Sequence, residues 1–242
     1  MCFHRGGRWA RFVTSSTPRS ALERSSSQSM SSRVVPSEST IRKALSEFQI
    51  DANTDQVGQI QKYIKLLLLW NEKVNLTAIR DPLEILYRHF CESMFATKIV
   101  DLRRCRLADI GTGAGFPGLA LRILLPAAQV VLVESNLKKA AFLAEVVRAL
   151  GITGAKVLVS RYEEVGKEIA PVDFLLARAL GEFELFLKWA ASETVGAKRV
   201  MLWVGAGDIE QVCKSSEWTW EPTVMVPLSL RRVLLIGTKV TD

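Results

Sequence analysis

The chain has 242 residues, of which 48% are hydrophobic, so it is long and apolar enough to bury the core of a full α/β domain. No apolar run approaches the length that spans a bilayer, which speaks against a helical membrane protein and favours a soluble globular one. The net charge is +7, but residues 1–33 hold six arginines and one acid. Residues 34–242 therefore carry only about +2, which gives weak support for a nucleic-acid partner.

Residues 1–33 are rich in serine and arginine and lack periodic apolar positions, which predicts a disordered tail. The same composition is typical of an organelle transit peptide. It also fits an over-extended reading frame whose true start is Met30. We slightly favour the start at Met30 over targeting, and an RNA-binding tail comes third.

The cysteines and histidines are few and scattered. The cysteines are Cys2, Cys91, Cys105 and Cys213, and the histidines are His4 and His89. No CxxC pair and no metal-ligand spacing occurs, which speaks against a disulfide framework and against zinc chemistry. We therefore expect a reducing, cytoplasmic setting and no bound metal.

Residues 34–100 are predicted to form a helical N-terminal extension. Apolar residues at helical spacing indicate a first helix around Ile41 to Phe48 and a second helix from Val57 to Leu68. A third helix is predicted to begin at Asp81, which can cap it, with a proline in the first turn and a glutamate three residues after the cap.

From Leu107 onward, strands and helices alternate, which predicts a doubly wound, mostly parallel α/β sheet in residues 101–242. Strands buried on both faces are predicted at Leu107–Ile110, Val130–Glu134, Lys156–Ser160, Asp173–Ala177 and Arg199–Val204. Helices are predicted at Phe116–Leu125 and Leu137–Leu150. The last two strands, Pro222–Val226 and Arg232–Lys239, leave no room for a crossover helix, so we expect an antiparallel pair at one edge.

A glycine-rich turn, DIGTGAGFPG, joins the first strand to its helix. Its three alternate glycines, Gly111, Gly113 and Gly115, place bare backbone at the carboxyl edge of the sheet, where open parallel sheets bind ligands. The spacing is GxGxG, so the third glycine comes one residue early for the dinucleotide pattern. A tight turn without any ligand is the alternative interpretation.

Two acids bear on which ligand this turn binds. Asp109 lies just before the turn, where it would repel a pyrophosphate but could bind the cationic amino group of S-adenosylmethionine. Glu134 ends the second strand and could accept hydrogen bonds from two ribose hydroxyls, a feature that sites for NAD and S-adenosylmethionine share; a solvated surface acid is the alternative. The two acids with the glycine spacing favour S-adenosylmethionine over a nicotinamide cofactor.

Three more residues near the same edge are candidates for binding the cofactor or the RNA. Tyr162 and Glu163 follow the third strand, in the loop that borders the adenine in this fold, although an ordinary helix cap explains them about equally well. Arg178 follows the fourth strand and could pair with the methionine carboxylate or with an RNA phosphate, unless it is a simple surface arginine.

Several segments together resemble one family. They are LWNEKVNLT at 69–77, RHFCES at 88–93, DIGTGAGFPG at 109–118, SRYEE at 160–164 and ARA at 177–179. This combination resembles the RsmG (GidB) family of bacterial 16S rRNA guanine-N7 methyltransferases, and the resemblance runs from about Ile41 to Lys239. It implies a class I S-adenosylmethionine-dependent methyltransferase fold and a substrate in the 530 loop of 16S rRNA, at guanine 527.

The resemblance also implies roles for individual residues. Cofactor contacts would fall on Gly111, Phe116, Tyr162, Glu163 and Arg178, with Glu134 and Ser135 near the ribose. RNA contacts would fall on Arg88 and His89, although packing of the histidine remains an alternative. Independently of the resemblance, Arg231 and Arg232 are candidates for phosphate contacts, with a solvated strand end as the alternative. No general base stands out, so we expect catalysis by positioning, with Arg178 as the candidate, in a monomer whose partner is the small ribosomal subunit.

The chain departs from the family pattern at two places. The loop after the fifth strand reads WVGAG at 203–207 and lacks the lysine that family members usually carry there. Glu92 stands where the family usually has an aspartate. The missing lysine keeps a non-catalytic RNA-binding assembly factor open as an alternative, and a nicotinamide-dependent oxidoreductase ranks below it.

Overall fold

The structure is a computed structural model that describes residues 34–178 and 181–240. The predictions for residues 1–33, including a start at Met30, lie outside this part. Within the described residues, no helix is both long and apolar enough to cross a membrane.

The described part begins with capped helices. Helix α1 (Glu38–Glu47) follows Ser37, whose hydroxyl accepts from the Thr40 amide. Helix α2 (Thr54–Asn71) starts in a capping box with Asn53, and α3 (Pro82–Ile85) starts at Asp81, whose carboxylate accepts from the Glu84 amide at 2.8 Å. The predicted cap at Asp81 is thus confirmed.

Helix α3 does not end in a loop. It continues through a π-helical turn (Leu86–Cys91), helix α4 (Glu92–Met94) and a 3₁₀ turn (Phe95–Lys98). The π-helical turn contains Arg88 and His89. Such turns are rare in proteins overall. Where they do occur, they are often at functional sites, because the extra residue changes where side chains point.

Within residues 34–178 and 181–240, the sheet has eight strands. They are β1 (Arg106–Ile110), β2 (Gln129–Glu134), β3 (Ala155–Val159), β4 (Val172–Arg178), β5 (Ala197–Gly205), β6 (Trp218–Trp220), β7 (Val224–Met225) and β8 (Arg232–Lys239). Their order is β3-β2-β1-β4-β5-β8-β6, with β7 also paired to β8. Strands β1 to β5 are parallel, so their carboxyl ends share one edge, here called the carboxyl edge. The predicted doubly wound, mostly parallel sheet is confirmed.

Five helices follow in the remaining connections. They are α5 (Gly118–Leu124), α6 (Leu137–Ala149), α7 (Gly166–Ile169), α8 (Phe183–Ala191) and α9 (Ile209–Cys213). Helix α5 starts two residues later than its predicted start at Phe116, because residues up to Pro117 belong to the glycine turn.

The predicted antiparallel pair of the last two strands is confirmed, because β7 pairs antiparallel with β8. Strand β8 also pairs antiparallel with β5 on one side and with β6 on the other. The short strand β6, which has no long apolar run, was missed. Strand β3 lies at an edge and is only half-buried, with Val159 exposed, so its apolar residues do not reflect burial on both faces.

The helical extension shares its core with one face of the sheet. A single cluster of buried side chains includes Ile41, Tyr63 and Phe90 from the helices together with Leu107 and Leu132 from the sheet. A second cluster covers the opposite face against α8. Helices before residue 100 therefore help to bury the sheet, and the boundary between residues 34–100 and 101–242 stays a prediction.

Candidate functional site

The glycine turn lies at the carboxyl edge of β1 and requires glycine for two different reasons. Gly111 has φ +65° and its missing Cβ would meet nothing within 4 Å, so its backbone faces open space. Gly115 has φ +90°, and a Cβ there would clash with the Tyr63 hydroxyl at 2.1 Å. The first glycine can thus expose backbone to a ligand, while the third allows close packing behind the turn.

Asp109 fastens the two ends of this turn. Its carboxyl group is completely buried, and one oxygen accepts from the Thr112 hydroxyl at 2.6 Å and from the Gly118 amide at 2.7 Å. The other oxygen has no hydrogen-bond partner. Burial raises the pKa of Asp109 to about 7, although these hydrogen bonds oppose the shift. The observed contacts make Asp109 a support of the turn, and its contact with a ligand amino group stays a prediction.

Glu134 links the turn to the end of β2. One carboxylate oxygen accepts from the Gly113 amide at 3.0 Å, and the other accepts from the Asn136 amide at 2.8 Å. Each oxygen still has a lone pair for another donor. Ser135, the next residue, is exposed. This arrangement fixes a carboxylate at the carboxyl edge, where it can receive the hydroxyls of a sugar.

The loop after β3 brings an aromatic group to the same edge. Tyr162 is half-buried, and its ring centroid lies 4.9 Å from that of Trp189 and 5.8 Å from that of Phe186. Burial raises the pKa of the Tyr162 hydroxyl above its ordinary value. Glu163 is exposed.

Phe116 lies in the middle of a stack of three rings. Its centroid is 5.4 Å from that of Tyr63 on α2 and 4.8 Å from that of His89, with interplanar angles of 14° and 19°. The Tyr63 hydroxyl donates to the carbonyl of Ala114 inside the glycine turn. The helical extension therefore contacts the turn directly. Tyr63 lies within the predicted second helix but was not among its periodic apolar positions, so this contact was missed.

Four charged residues gather beside the stack; we call Arg88, Glu92, Arg178 and Arg232 the arginine cluster. Glu92 is 3% exposed, and its carboxylate lies 3.1 Å from Arg88 Nε, 3.2 Å from Arg178 Nη2 and 3.1 Å from Arg232 Nε. Arg178 also donates to the Arg88 carbonyl at 2.7 Å, and its other terminal nitrogen, Nη1, is buried without a partner. With Glu92 ionised, the cluster carries an excess of two positive charges.

Burial and mutual repulsion shape the protonation of this region. Burial, with Arg232 and Arg88, lowers the pKa of Arg178 to about 10, against the attraction of Glu92. Burial raises the pKa of Glu92, while the three arginines lower it. For His89, burial and the same arginines lower the pKa to about 3, so the ring is neutral and shares a hydrogen bond with the Thr77 hydroxyl at 2.9 Å.

The structure thus brings most of the candidate residues to one edge, with differences in role. His89 is packed and neutral, which matches the packing alternative better than an exposed RNA contact. Arg231 is exposed and lies outside the cluster; its carbonyl accepts from the Ala206 amide. Glu92, which drew notice only as a departure from the family pattern, lies at the centre of the cluster.

Among the described residues, no group of His, Cys, Asp and Glu could hold a metal ion.

Two solved structures with the same fold have low sequence identity to this chain. A protein described as a SAM dependent methyltransferase from Aquifex aeolicus matches with a TM-score of 0.54 at 16% identity, over 69% of this chain and 97% of that one. A predicted O-methyltransferase from Agrobacterium tumefaciens matches with a TM-score of 0.52 at 20% identity, over 62% and 81% of the two chains. At this identity, the likeness concerns the fold alone.

Relatives in sequence identify the family to which the chain belongs. The "Ribosomal RNA small subunit methyltransferase G" of Dichelobacter nodosus is 32% identical over 87% of this chain and 99% of its own length. That of Desulfitobacterium hafniense is 39% identical over 58% of this chain and 59% of its own length. The family profile "GidB: rRNA small subunit methyltransferase G" matches residues 56–227, which include both the glycine turn and the arginine cluster except for Arg232. The chain therefore belongs to the GidB family, the rRNA small subunit methyltransferase G proteins.

Proposed function

We propose that this chain transfers a methyl group from S-adenosylmethionine to N7 of a guanine in the 530 loop of 16S rRNA. The observation that carries the proposal is the family match over residues 56–227, which spans the cofactor turn and the RHFCES segment together. The family description names small-subunit rRNA as the substrate, while the guanine and its N7 atom rest on the resemblance of the motifs.

The residues at the carboxyl edge fit S-adenosylmethionine. The open backbone at Gly111 leaves room for the ligand, and the Glu134 carboxylate offers acceptors for its ribose hydroxyls. Tyr162, which packs on Trp189, lies in the loop after β3 that is expected to border the adenine. When bound, the cofactor supplies an electrophilic methyl group on a sulfonium. The turn suits this ligand better than a dinucleotide, because its third glycine comes one residue early for the dinucleotide pattern.

The chemistry of the acceptor explains why the site needs no general base. N7 of guanine carries an exposed lone pair and loses no proton on methylation, so deprotonation contributes nothing to the barrier. The neutral His89, with a pKa of about 3, is accordingly not required as a base. The residues of the chain must hold the nucleophile and the methyl group in line, which is catalysis by positioning.

The arginine cluster and Arg231 are the proposed contacts for the RNA backbone. Arg178 is 10% exposed and has a free buried donor, and Arg88 and Arg232 are partly exposed beside it. Guanidinium groups bind phosphate oxygens in a fixed geometry, and an excess of positive charge draws a polyanion to this edge. Arg178 could equally hold the carboxylate of the methionine moiety.

A second candidate function rests on one observation. The loop from Gly205 to Gly207 lacks the usual lysine of the family, which leaves room for a protein that binds rRNA during assembly without methylating it.

Transfer of a labelled methyl group to unmodified small subunits, followed by mapping of 7-methylguanosine, tests these possibilities. We expect one labelled guanine in the 530 loop. Tight binding to the particle without transfer would instead support the assembly factor, and binding of NAD without binding of S-adenosylmethionine would overturn the methyltransferase proposal.

A further inference from the structure

The hairpin between β7 and β8 ends in a loop with an unusual surface. Leu230 is 96% exposed, the highest value among the large hydrophobic side chains of the described residues, and Leu228 is 70% exposed. Single exposed leucines are common on protein surfaces, but two of them on one short loop next to a reaction site form an apolar projection. We call residues 226–231 the leucine loop.

The loop is located at the carboxyl edge. Strand β8 is antiparallel to β5, and its first residue, Arg232, lies opposite Gly205, the last residue of β5. The Arg231 carbonyl accepts from the Ala206 amide, which ties the loop to the connection after β5. Arg232 also reaches Glu92 in the arginine cluster. Because two residues span at most about 7 Å of chain, Leu230 lies close to that cluster.

Hydrogen bonds hold the loop in one shape. The Ser229 amide donates to the Val226 carbonyl at 3.2 Å, and the Ser229 hydroxyl accepts from the Arg232 amide at 3.0 Å. A held loop loses little conformational freedom when it binds a partner, which favours binding.

Leu228 adopts a backbone conformation that leucine rarely takes. Its φ is +59°, in the left-handed region where glycine and asparagine are favoured and a larger side chain is strained. Most of its side chain faces solvent, so burial in the fold does not offset that strain. Strain that folding does not explain is typical of a residue kept for binding.

We propose that the leucine loop packs against unstacked nucleobases of the small-subunit RNA beside the methylated guanine. The inference rests on the proposed function. Arg231 and the arginine cluster would hold the phosphates, while Leu228 and Leu230 cover the apolar faces of the bases, which every base offers regardless of its sequence. The loop thus helps to place the acceptor without taking part in the transfer of the methyl group.

The double variant L228N/L230N separates this role from a structural one. Asparagine is close to leucine in size, is polar and tolerates a positive φ, so we expect the thermal midpoint of unfolding to stay equal or rise. The KM for unmodified small subunits should rise at least about fivefold, because apolar contact is lost. The affinity for S-adenosylmethionine should not change. Leu185→Asn, which changes an exposed leucine on α8, serves as the control and should leave the KM unaltered.

An unchanged KM in the double variant, measured with a stably folded protein, would overturn the proposal. Failure of the wild-type protein to methylate any small subunit would instead overturn the proposed function, so the two failures are distinguishable.

Cross-linking identifies the partner. We would place the photoreactive residue p-benzoylphenylalanine at position 230 and irradiate the protein with small subunits. Cross-links to rRNA support the proposal. Cross-links only to a ribosomal protein or to a second copy of this chain, or none at all, contradict it.

Discussion

At the scale of single residues, the clearest prediction concerns the replacement of Arg178. It is the most buried arginine of the cluster, and it has one nitrogen free for a ligand. Replacing a charge-assisted contact of this kind costs about 1.5–3 kcal/mol, so Arg178→Ala should lower kcat/KM by roughly 10- to 100-fold. Methyl-transfer kinetics on small subunits, together with circular dichroism to confirm folding, would check this, and wild-type rates in a folded variant would refute the assigned role.

His89 gives an expectation for pH. Its pKa is about 3 in the folded protein and about 6.5 in an unfolded chain, so the unfolded state binds more protons between these values. The histidine therefore contributes stability that is fully present above pH 6.5 and is lost as the pH falls toward 3. The slope of its contribution is at most about 1.4 kcal/mol per pH unit.

Asp109 has the opposite effect on the pH dependence of folding stability, because its pKa is raised to about 7. Its stabilising contribution is present at low pH and is lost as the pH rises through 7, so the wild-type curve combines both effects. Comparison with His89→Asn isolates the histidine. We expect the difference in the free energy of unfolding between wild type and variant to shrink from pH 7 to pH 4, measured by urea denaturation; a constant difference would contradict the shifted pKa.

At the scale of elements, the contact between α2 and the glycine turn is the feature to test. Tyr63 donates to the Ala114 carbonyl and stacks on Phe116, so the helix holds the turn from behind. In Tyr63→Phe the ring remains and only the hydroxyl is lost, which leaves a buried carbonyl without its donor at a cost of about 1–3 kcal/mol.

We therefore expect Tyr63→Phe to weaken the binding of S-adenosylmethionine several-fold, with a smaller effect on kcat, as measured by calorimetry and steady-state kinetics. Tyr87→Phe is a matched control, because the Tyr87 hydroxyl contacts only the exposed Glu47 of α1 among the bonds described. An equal loss of cofactor affinity in both variants would indicate a general effect on folding instead of support for the turn.

At the scale of the whole molecule, the distribution of charge determines which surface of the protein attracts RNA. Residues 34–242 carry only about +2, so a local excess at the carboxyl edge has to supply the attraction. If Arg88 and Arg232 each neutralise one phosphate, replacing both with glutamine should reduce the slope of log K against log salt by about 1.4–1.8. Binding of small subunits across a salt series measures this slope. The surface pair Arg103→Gln and Lys198→Gln, at the opposite edge of the sheet, is the control and should leave the slope unchanged.

The sequence by itself determined the local features of this protein. The caps at Asn53 and Asp81 depend on neighbours three residues away, and the glycine spacing depends on the backbone of a single turn. The alternation of apolar strands and amphipathic helices likewise predicted a parallel sheet, and the motifs predicted the family.

Only the tertiary structure decided which distant groups meet. Glu92, Arg178 and Arg232 are separated by 86 and 54 positions along the chain, and nothing local in their segments indicates that one carboxylate binds both distant guanidinium groups. The insertion of β8 between β5 and β6 brings Arg232 and the leucine loop to the carboxyl edge, whereas an isolated edge hairpin does not specify that position. Periodicity reports whether a side chain is buried; the identity of its partners depends on strand order and helix packing, which long-range contacts establish.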